Sequence, residues 1–165
     1  MADRVIPQLR VRTEFSFRQA YGQIPKVADA LVALGTPAAA IVDGGTWGHV
    51  RWAKALKARG VKPLFGTELT VVQDNGLKPT AWALAEDTRA FYRFSTAARQ
   101  EGANIEQLFA DTHSGVIRFA GAALTDPDTF DYIDLNPASP LTQRAAMRLH
   151  ARTGKPLVVT SDNFY

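Results

Sequence analysis

Short apolar runs alternate along the chain with segments whose apolar residues recur every three or four positions. This pattern predicts an α/β fold with a largely parallel sheet. The first run, Ile6 to Arg12, reads as a strand with Leu9 and Val11 on one side and Arg10 and Arg12 on the other. Pro25 to Leu34 reads as a helix, opened by proline and stopped by Gly35. Ala38 to Val42 reads as a buried strand ending on Asp43-Gly44-Gly45, and His49 to Arg59 as a second helix stopped by Gly60. Pro63 to Val72 should hold a strand or two, followed by the turn signal Asp74-Asn75-Gly76. Thr80 to Ala85 is a further short strand. The spacing of Phe91, Phe94 and Ala98 places a helix over Asp87 to Gln100, with both phenylalanines in the core rather than forming a base-stacking platform. A short helix is expected over Asn104 to Phe109, and strands over Gly115 to Phe119 and Phe130 to Leu135. A helix from Ser139 to Arg152, stopped by Gly154, leads to a last strand over Pro156 to Thr160.

Composition leaves this picture in place. The 165 residues suit one domain and can bury a substantial core. Hydrophobic residues at 46% and charged residues at 21% are ordinary for a globular protein. Nineteen basic against 16 acidic residues leave a charge of +3, which favours a polyanionic partner without specifying one. The absence of cysteine excludes disulfides and thiolate metal sites. No apolar run is long enough to cross a bilayer, and Met1 to Arg12 is too polar and basic for a secretory signal. A cytoplasmic location without a membrane partner is therefore expected. Because the chain ends at Tyr165, directly after the last strand, a single domain over residues 1–165, cut short at its C-terminus, is also expected.

Charged residues change the picture more. Carboxyl ends of parallel strands are where α/β folds place their sites, and Arg12, Asp43, Glu68 and Asp162 fall there. Three carboxylates converging on one mouth repel one another, and need either a metal ion or a guanidinium between them. On the second helix, Arg51, Lys54 and Lys57 lie near one another on one face. A solvated face is the plainer reading of these three, and phosphate contact the sharper one.

Five segments carry a family resemblance. Leu9-Arg10-Val11-Arg12-Thr13-Glu14-Phe15-Ser16-Phe17 resembles a motif usually written His-x-His-Thr-x-Tyr/Phe-Ser. Ala40-Ile41-Val42-Asp43-Gly44-Gly45 is similar to an apolar strand ending Thr-Asp-His-Gly. Gly60-Val61-Lys62-Pro63-Leu64-Phe65-Gly66-Thr67-Glu68-Leu69 resembles Gly-Ile-Lys-Pro-Ile-x-Gly-Cys-Glu. Leu84-Ala85-Glu86-Asp87, followed by Ala90-Phe91-Tyr92, resembles the segment after the next histidine of that pattern. Pro156 to Tyr165 is similar to the ending Pro-x-Val-Ala-Thr-Asn-Asp-x-His-Tyr. In order and together, these resemble the polymerase and histidinol phosphatase (PHP) domain of a bacterial C-family DNA polymerase, the DNA polymerase III alpha subunit. The resemblance implies a distorted, partial (β/α) barrel with a mainly parallel sheet.

Active members of the family resemble one another in binding a cluster of metal ions through histidines and carboxylates for phosphoester hydrolysis. Carried onto this chain, Arg10, Arg12, Gln19, Gly44, Thr80 and Phe164 stand at ligand positions without being the expected ligand. Glu68 and Asp162 are retained, and Asp43 is kept beside a lost histidine. Arginine stays protonated and offers no acceptor, so Arg10 and Arg12 cannot ligate a metal. Glu68 and Asp162 alone suit at most a loose magnesium ion, and no cofactor is expected. His49, in a helix, His113, in a polar loop, and His150, in the last helix, read as surface or capping residues rather than relocated ligands. The inference from these residues is a charge replacement, in which Arg10 and Arg12 enter the old metal pocket and pair with Glu68, Asp162 and Asp43. The alternative is that both arginines reach solvent or bind phosphate.

The resemblance implies a non-catalytic structural or docking domain within a DNA polymerase. Its partners would be the remainder of the polymerase chain, a proofreading exonuclease or another replisome subunit. A metal-dependent phosphoesterase or 3′–5′ exonuclease is the second reading. Weak accessory DNA binding through the basic residues from Arg51 to Lys62 is the third.

Overall fold

The computed structural model describes residues 6–17, 19–70, 80–97, 115–121 and 130–160. The apolar runs become strands and the periodic segments become helices. In chain order these are β1 (Gln8–Val11), α1 (Ile24–Ala33), β2 (Ala38–Asp43), α2 (His49–Lys57), β3 (Lys62–Thr70), β4 (Thr80–Ala85), α3 (Thr88–Ala97), β5 (Val116–Ala120), β6 (Tyr132–Leu135), α4 (Pro140–Thr153) and β7 (Leu157–Val159). The turn expected at Asp74-Asn75-Gly76 and the helix expected over Asn104 to Phe109 lie outside the described residues. The boundaries follow local chemistry. Helix α4 begins at Pro140, behind Ser139, whose side chain accepts from the Thr142 N–H at 3.4 Å. It ends on Gly154 at φ 70°, a left-handed position that suits glycine, where the Gly154 N–H reaches the His150 carbonyl at 2.8 Å.

The seven strands among the described residues join one sheet in the order β1-β2-β3-β4-β5-β6-β7. The pairs β1–β2, β2–β3, β5–β6 and β6–β7 are parallel, whereas β3–β4 and β4–β5 are antiparallel. The sheet is thus mixed, with β4 running against its neighbours. It is also strongly curled. At about 4.8 Å per strand, β1 and β6 would lie roughly 24 Å apart in a flat sheet. Instead an Arg10 nitrogen on β1 donates to an Asp134 oxygen on β6 at 2.7 Å, so the sheet closes into a half-barrel.

Strand alternation then sorts the side chains into three cores. Ile24, Val27, Ala28 and Leu31 of α1 and Trp52 and Leu56 of α2 cover the outer face of β1 and β2, meeting Val11, Ala39 and Ile41. Ala146 and Leu149 of α4 cover the outer face of the other half, meeting Ala81, Ala83, Ala120 and Ile133. Ala40, Val42, Trp82, Leu84 and Phe119 fill the concave face. Gly66 lies where β3 and β4 approach closely: a Cβ there would stand 2.5 Å from the Ala83 carbonyl oxygen.

One expected facing is corrected. Leu9 and Val11 do not share a side: Leu9 packs with the concave core and Val11 with the outer one. Gln8 pairs with Ala39 and Val11 with Ile41, so β1 carries one residue more than β2 over that stretch. This bulge places both Leu9 and Arg10 opposite Ala40, on the concave side.

A guanidinium-filled pocket as the candidate functional site

The pocket lies on the concave face, at the carboxyl ends of β1, β3, β6 and β7. Arg10 enters it from β1, Arg12 from just past β1, Glu68 from β3, Asp134 from β6, and Thr160 from just past β7. Trp82 of β4 forms its floor. Glu68 and Trp82 are register partners, as are Trp82 and Phe119, and Phe119 and Tyr132, so these side chains form one row across the strands.

Arg10 and Arg12 are both buried, as are Asp134 and the Glu68 side chain, which is only 10% exposed. Arg10 donates through one terminal nitrogen to Asp134 Oδ2 at 2.7 Å and through the other to Glu68 Oε2 at 3.2 Å. Arg12 donates to the same Glu68 oxygen. Asp134 also accepts from Trp82 Nε1 at 3.0 Å and from the Thr160 hydroxyl. The Arg10 guanidinium carbon stands 6.0 Å from the Trp82 ring centroid. Trp82 stacks on Phe119 with centroids 3.7 Å apart and planes 2° from parallel, and Phe119 stacks on Tyr132 at 5.4 Å. Buried carboxylates are costly unless paired and hydrogen-bonded, and both conditions are met here.

The expected pairing of the arginines with Glu68 is therefore present, and Asp134, which the sequence reading missed, completes it. Asp134 is a charged residue between Ile133 and Leu135 at the end of a parallel strand, the same signal that marks Glu68. Asp43 differs from expectation. It shares its parity on β2 with Ala39 and Ile41, and so turns to the helix-covered side rather than into the arginine cluster. There it is fully buried, accepting from the Thr13 N–H at 2.8 Å, the Thr13 hydroxyl at 2.6 Å and the Ser16 hydroxyl. These bonds pin the loop after β1 onto β2. Gln19 is exposed on that same loop, and Gly44 is exposed after β2. Thr80 opens β4, opposite Thr70. Asp162 and Phe164 lie outside the described residues.

His49 also departs from its expected surface or capping role. It is 1% exposed, and its Nε2 lies 2.8 Å from the Gly66 carbonyl oxygen. A carbonyl only accepts, so Nε2 carries the hydrogen. The ring packs edge-on against Phe65 and Phe91, with centroids 5.7 and 5.4 Å away. Burial lowers its pKa from 6.5, against the opposing effects of the Gly66 carbonyl, the Asp43 charge and the Thr46 backbone. Well above pH 6.5 the ring is neutral in both the folded and unfolded states. As pH falls below 6.5, the unfolded chain takes up a proton that the folded chain resists, and stability declines. Urea midpoints should fall on acidification through that range, and a His49→Gln variant should lose this part of the slope. An unchanged slope would remove His49 as its source. His150, by contrast, sits near the end of α4 with Nδ1 2.8 Å from the Lys155 carbonyl oxygen, a capping position as expected. His113 lies outside the described residues.

The basic residues of α2 are exposed and line two different grooves. Arg51 lies over the Phe15 ring at 5.7 Å and lines a groove of about 550 Å³ with Phe17 and Tyr21. Lys54 and Lys57 line a different groove, of about 510 Å³, whose floor holds His49, Phe65 and Phe91.

The described pocket residues do not fit a metal ion. Guanidinium groups offer no lone pair, and they already occupy the acids that could have served as ligands. Among the described residues, no group of three or more histidines or carboxylates gathers closely enough to hold a metal. Among them, too, no helix is long and apolar enough to cross a membrane.

A curled α/β half-barrel with its polar pocket at the strands' carboxyl ends defines the class. Residues 8–148 match the family model of the PHP domain, and the chain belongs to that family. Several solved structures share the fold. One is a protein from Bifidobacterium adolescentis assigned as a metal-dependent phosphoesterase, at a TM-score of 0.63 and 16% identity, covering 94% of this chain and 86% of that one. An amidohydrolase from Chromobacterium violaceum matches at 0.64 and 13% identity, over 96% and 87% of the two chains. A two-domain protein from Bacteroides vulgatus, with a domain assigned as a PHP-like metal-dependent phosphoesterase, matches at 0.64 and 13%, over 94% of this chain and 51% of that one. No curated protein matches the chain. At such identities the likeness carries the fold, while activity rests on the site.

Proposed function

We propose that the chain is a non-catalytic PHP domain serving as a structural and docking module of a DNA polymerase III alpha-type protein, in DNA replication or repair synthesis. The carrying observation is that Arg10 and Arg12 are bonded to Glu68 and Asp134 in the concave pocket. A pocket neutralised by fixed cations needs no metal and no other cofactor, and leaves Glu68 and Asp134 engaged rather than free to act as bases. The polymerase context is supported by the segments Gly60 to Leu69 and Pro156 to Tyr165, which resemble that subfamily. This reading implies a cytoplasmic location and, as partners, the rest of the polymerase chain, a proofreading exonuclease or another replisome subunit. DNA would be met weakly or through the parent protein.

The second reading, a metal-dependent phosphoesterase or 3′–5′ exonuclease, draws on the assigned activity of structurally similar proteins. Metal analysis of the dialysed protein, with hydrolysis of bis(p-nitrophenyl) phosphate in added manganese or zinc, separates the two. The non-catalytic domain should hold no stoichiometric metal and show no turnover sensitive to chelator. Turnover abolished by chelator and restored by metal would overturn this assignment. Docking is checked by calorimetric titration with the proofreading exonuclease and with the rest of the polymerase from the same organism. Saturable binding to one of them is expected, and heat of dilution alone with both would end the docking proposal.

A further inference from the structure

Helix α4 carries Arg144, Arg148 and Arg152 at four-residue intervals and contains no aspartate or glutamate. Each such step advances about 6 Å along the axis with little rotation, so the three side chains form a single row. Ala146 and Leu149 turn into the core, whereas Arg144, Arg148 and Arg152 stand on the exposed side with Met147, which is 52% exposed. The chain has 19 basic and 16 acidic residues. Three of those nineteen basic residues thus share one face of one helix that carries no acid. Helix stability does not explain the row. Like charges four residues apart repel, and Arg144, in the N-terminal half, opposes the helix dipole. Only Arg152, in the last turn, is favoured by it.

We infer that this face of α4 binds a nucleic-acid strand through its phosphate backbone, without reading bases. A regular row of guanidiniums suits a polymer that repeats its charge, about one per 3.4 Å of axis on each strand, better than it suits a single small anion. An anionic membrane also repeats its charge. However, the main apolar side of α4 is buried against β4, β5 and β6, and the exposed Leu141 and Met147 are too few to make a face that inserts. The basic residues of α2 compete less well, because they open onto two separate grooves.

The test is fluorescence anisotropy of a labelled single-stranded oligonucleotide of mixed sequence with the full chain, over a series of salt concentrations. Binding should weaken linearly in log–log form as salt rises. The combined variant Arg144→Gln, Arg148→Gln, Arg152→Gln should weaken it about tenfold or more and lower the salt slope by about two to three. Its circular dichroism should match the parent's, since the altered side chains are exposed. The variant Arg51→Gln, Lys54→Gln, Lys57→Gln should change affinity less than about twofold on the same salt scale. Three results would each overturn the inference: no salt-dependent binding by the parent chain, an α4 variant that binds as the parent does, or tighter binding to phosphatidylserine vesicles lost with the same substitutions.

Discussion

Replacing Arg10 with alanine should destabilise the fold by about 3–5 kcal/mol, the range for removing one partner of a buried ion pair. Arg10 joins Glu68 of β3 to Asp134 of β6, and all three side chains are at most 10% exposed. Its loss leaves Glu68 with Arg12, and Asp134 with the Trp82 and Thr160 hydrogen bonds but without the Arg10 charge. Urea unfolding monitored by circular dichroism measures the effect. The double variant Arg10→Leu, Asp134→Leu should recover part of the loss, because it removes a stranded charge along with its partner. A loss below about 1 kcal/mol for Arg10→Ala, the scale of an exposed pair, would mean that the pocket does not hold the sheet in its curl.

Trp82→Ala should cost a similar amount, about 3–5 kcal/mol, by a different route. The ring is 1% exposed, stacks on Phe119 at 3.7 Å and supplies an N–H to Asp134 at 3.0 Å. Alanine removes the floor of the concave core and one donor to a buried carboxylate together. Trp82→Phe separates the two contributions: it keeps much of the stacking and should lose only about 1.5–3 kcal/mol, the value of a hydrogen bond to a charged group. Since Arg10 and Trp82 share Asp134, the combined loss in Arg10→Ala, Trp82→Ala should differ from the sum of the single losses. Strict additivity in urea unfolding would show that the cation and the aromatic stack act independently.

What was legible in the sequence was mostly local. Strand Thr80–Ala85 and the start of α2 at His49 follow from short-range pattern, as do the ends of α4. The entry of Arg10 and Arg12 into a pocket with Glu68 was readable because the family resemblance sets all three at ligand positions and a guanidinium there can pair with an acid but not ligate a metal. Asp134 was harder to find because its partners Arg10 and Trp82 lie 124 and 52 residues away, and no periodicity links them. His49 looked like a polar helix start, yet Phe65 and Phe91 from two other elements close over it. The side taken by Asp43 was legible in principle, since it continues the parity of Ala39 and Ile41. Leu9 was not, because a bulge depends on register with the neighbouring strand rather than on the strand's own residues.

The bond from Arg10 to Asp134 is a chord drawn across an arc, from the first strand to the sixth. A chord made of metal ions would last only as long as the surroundings supplied them, and the arc would be free to spread whenever they ran short. Here both ends of the chord are written into the polypeptide, so every newly made chain carries its own brace. The curvature of the half-barrel should therefore be indifferent to metal scarcity.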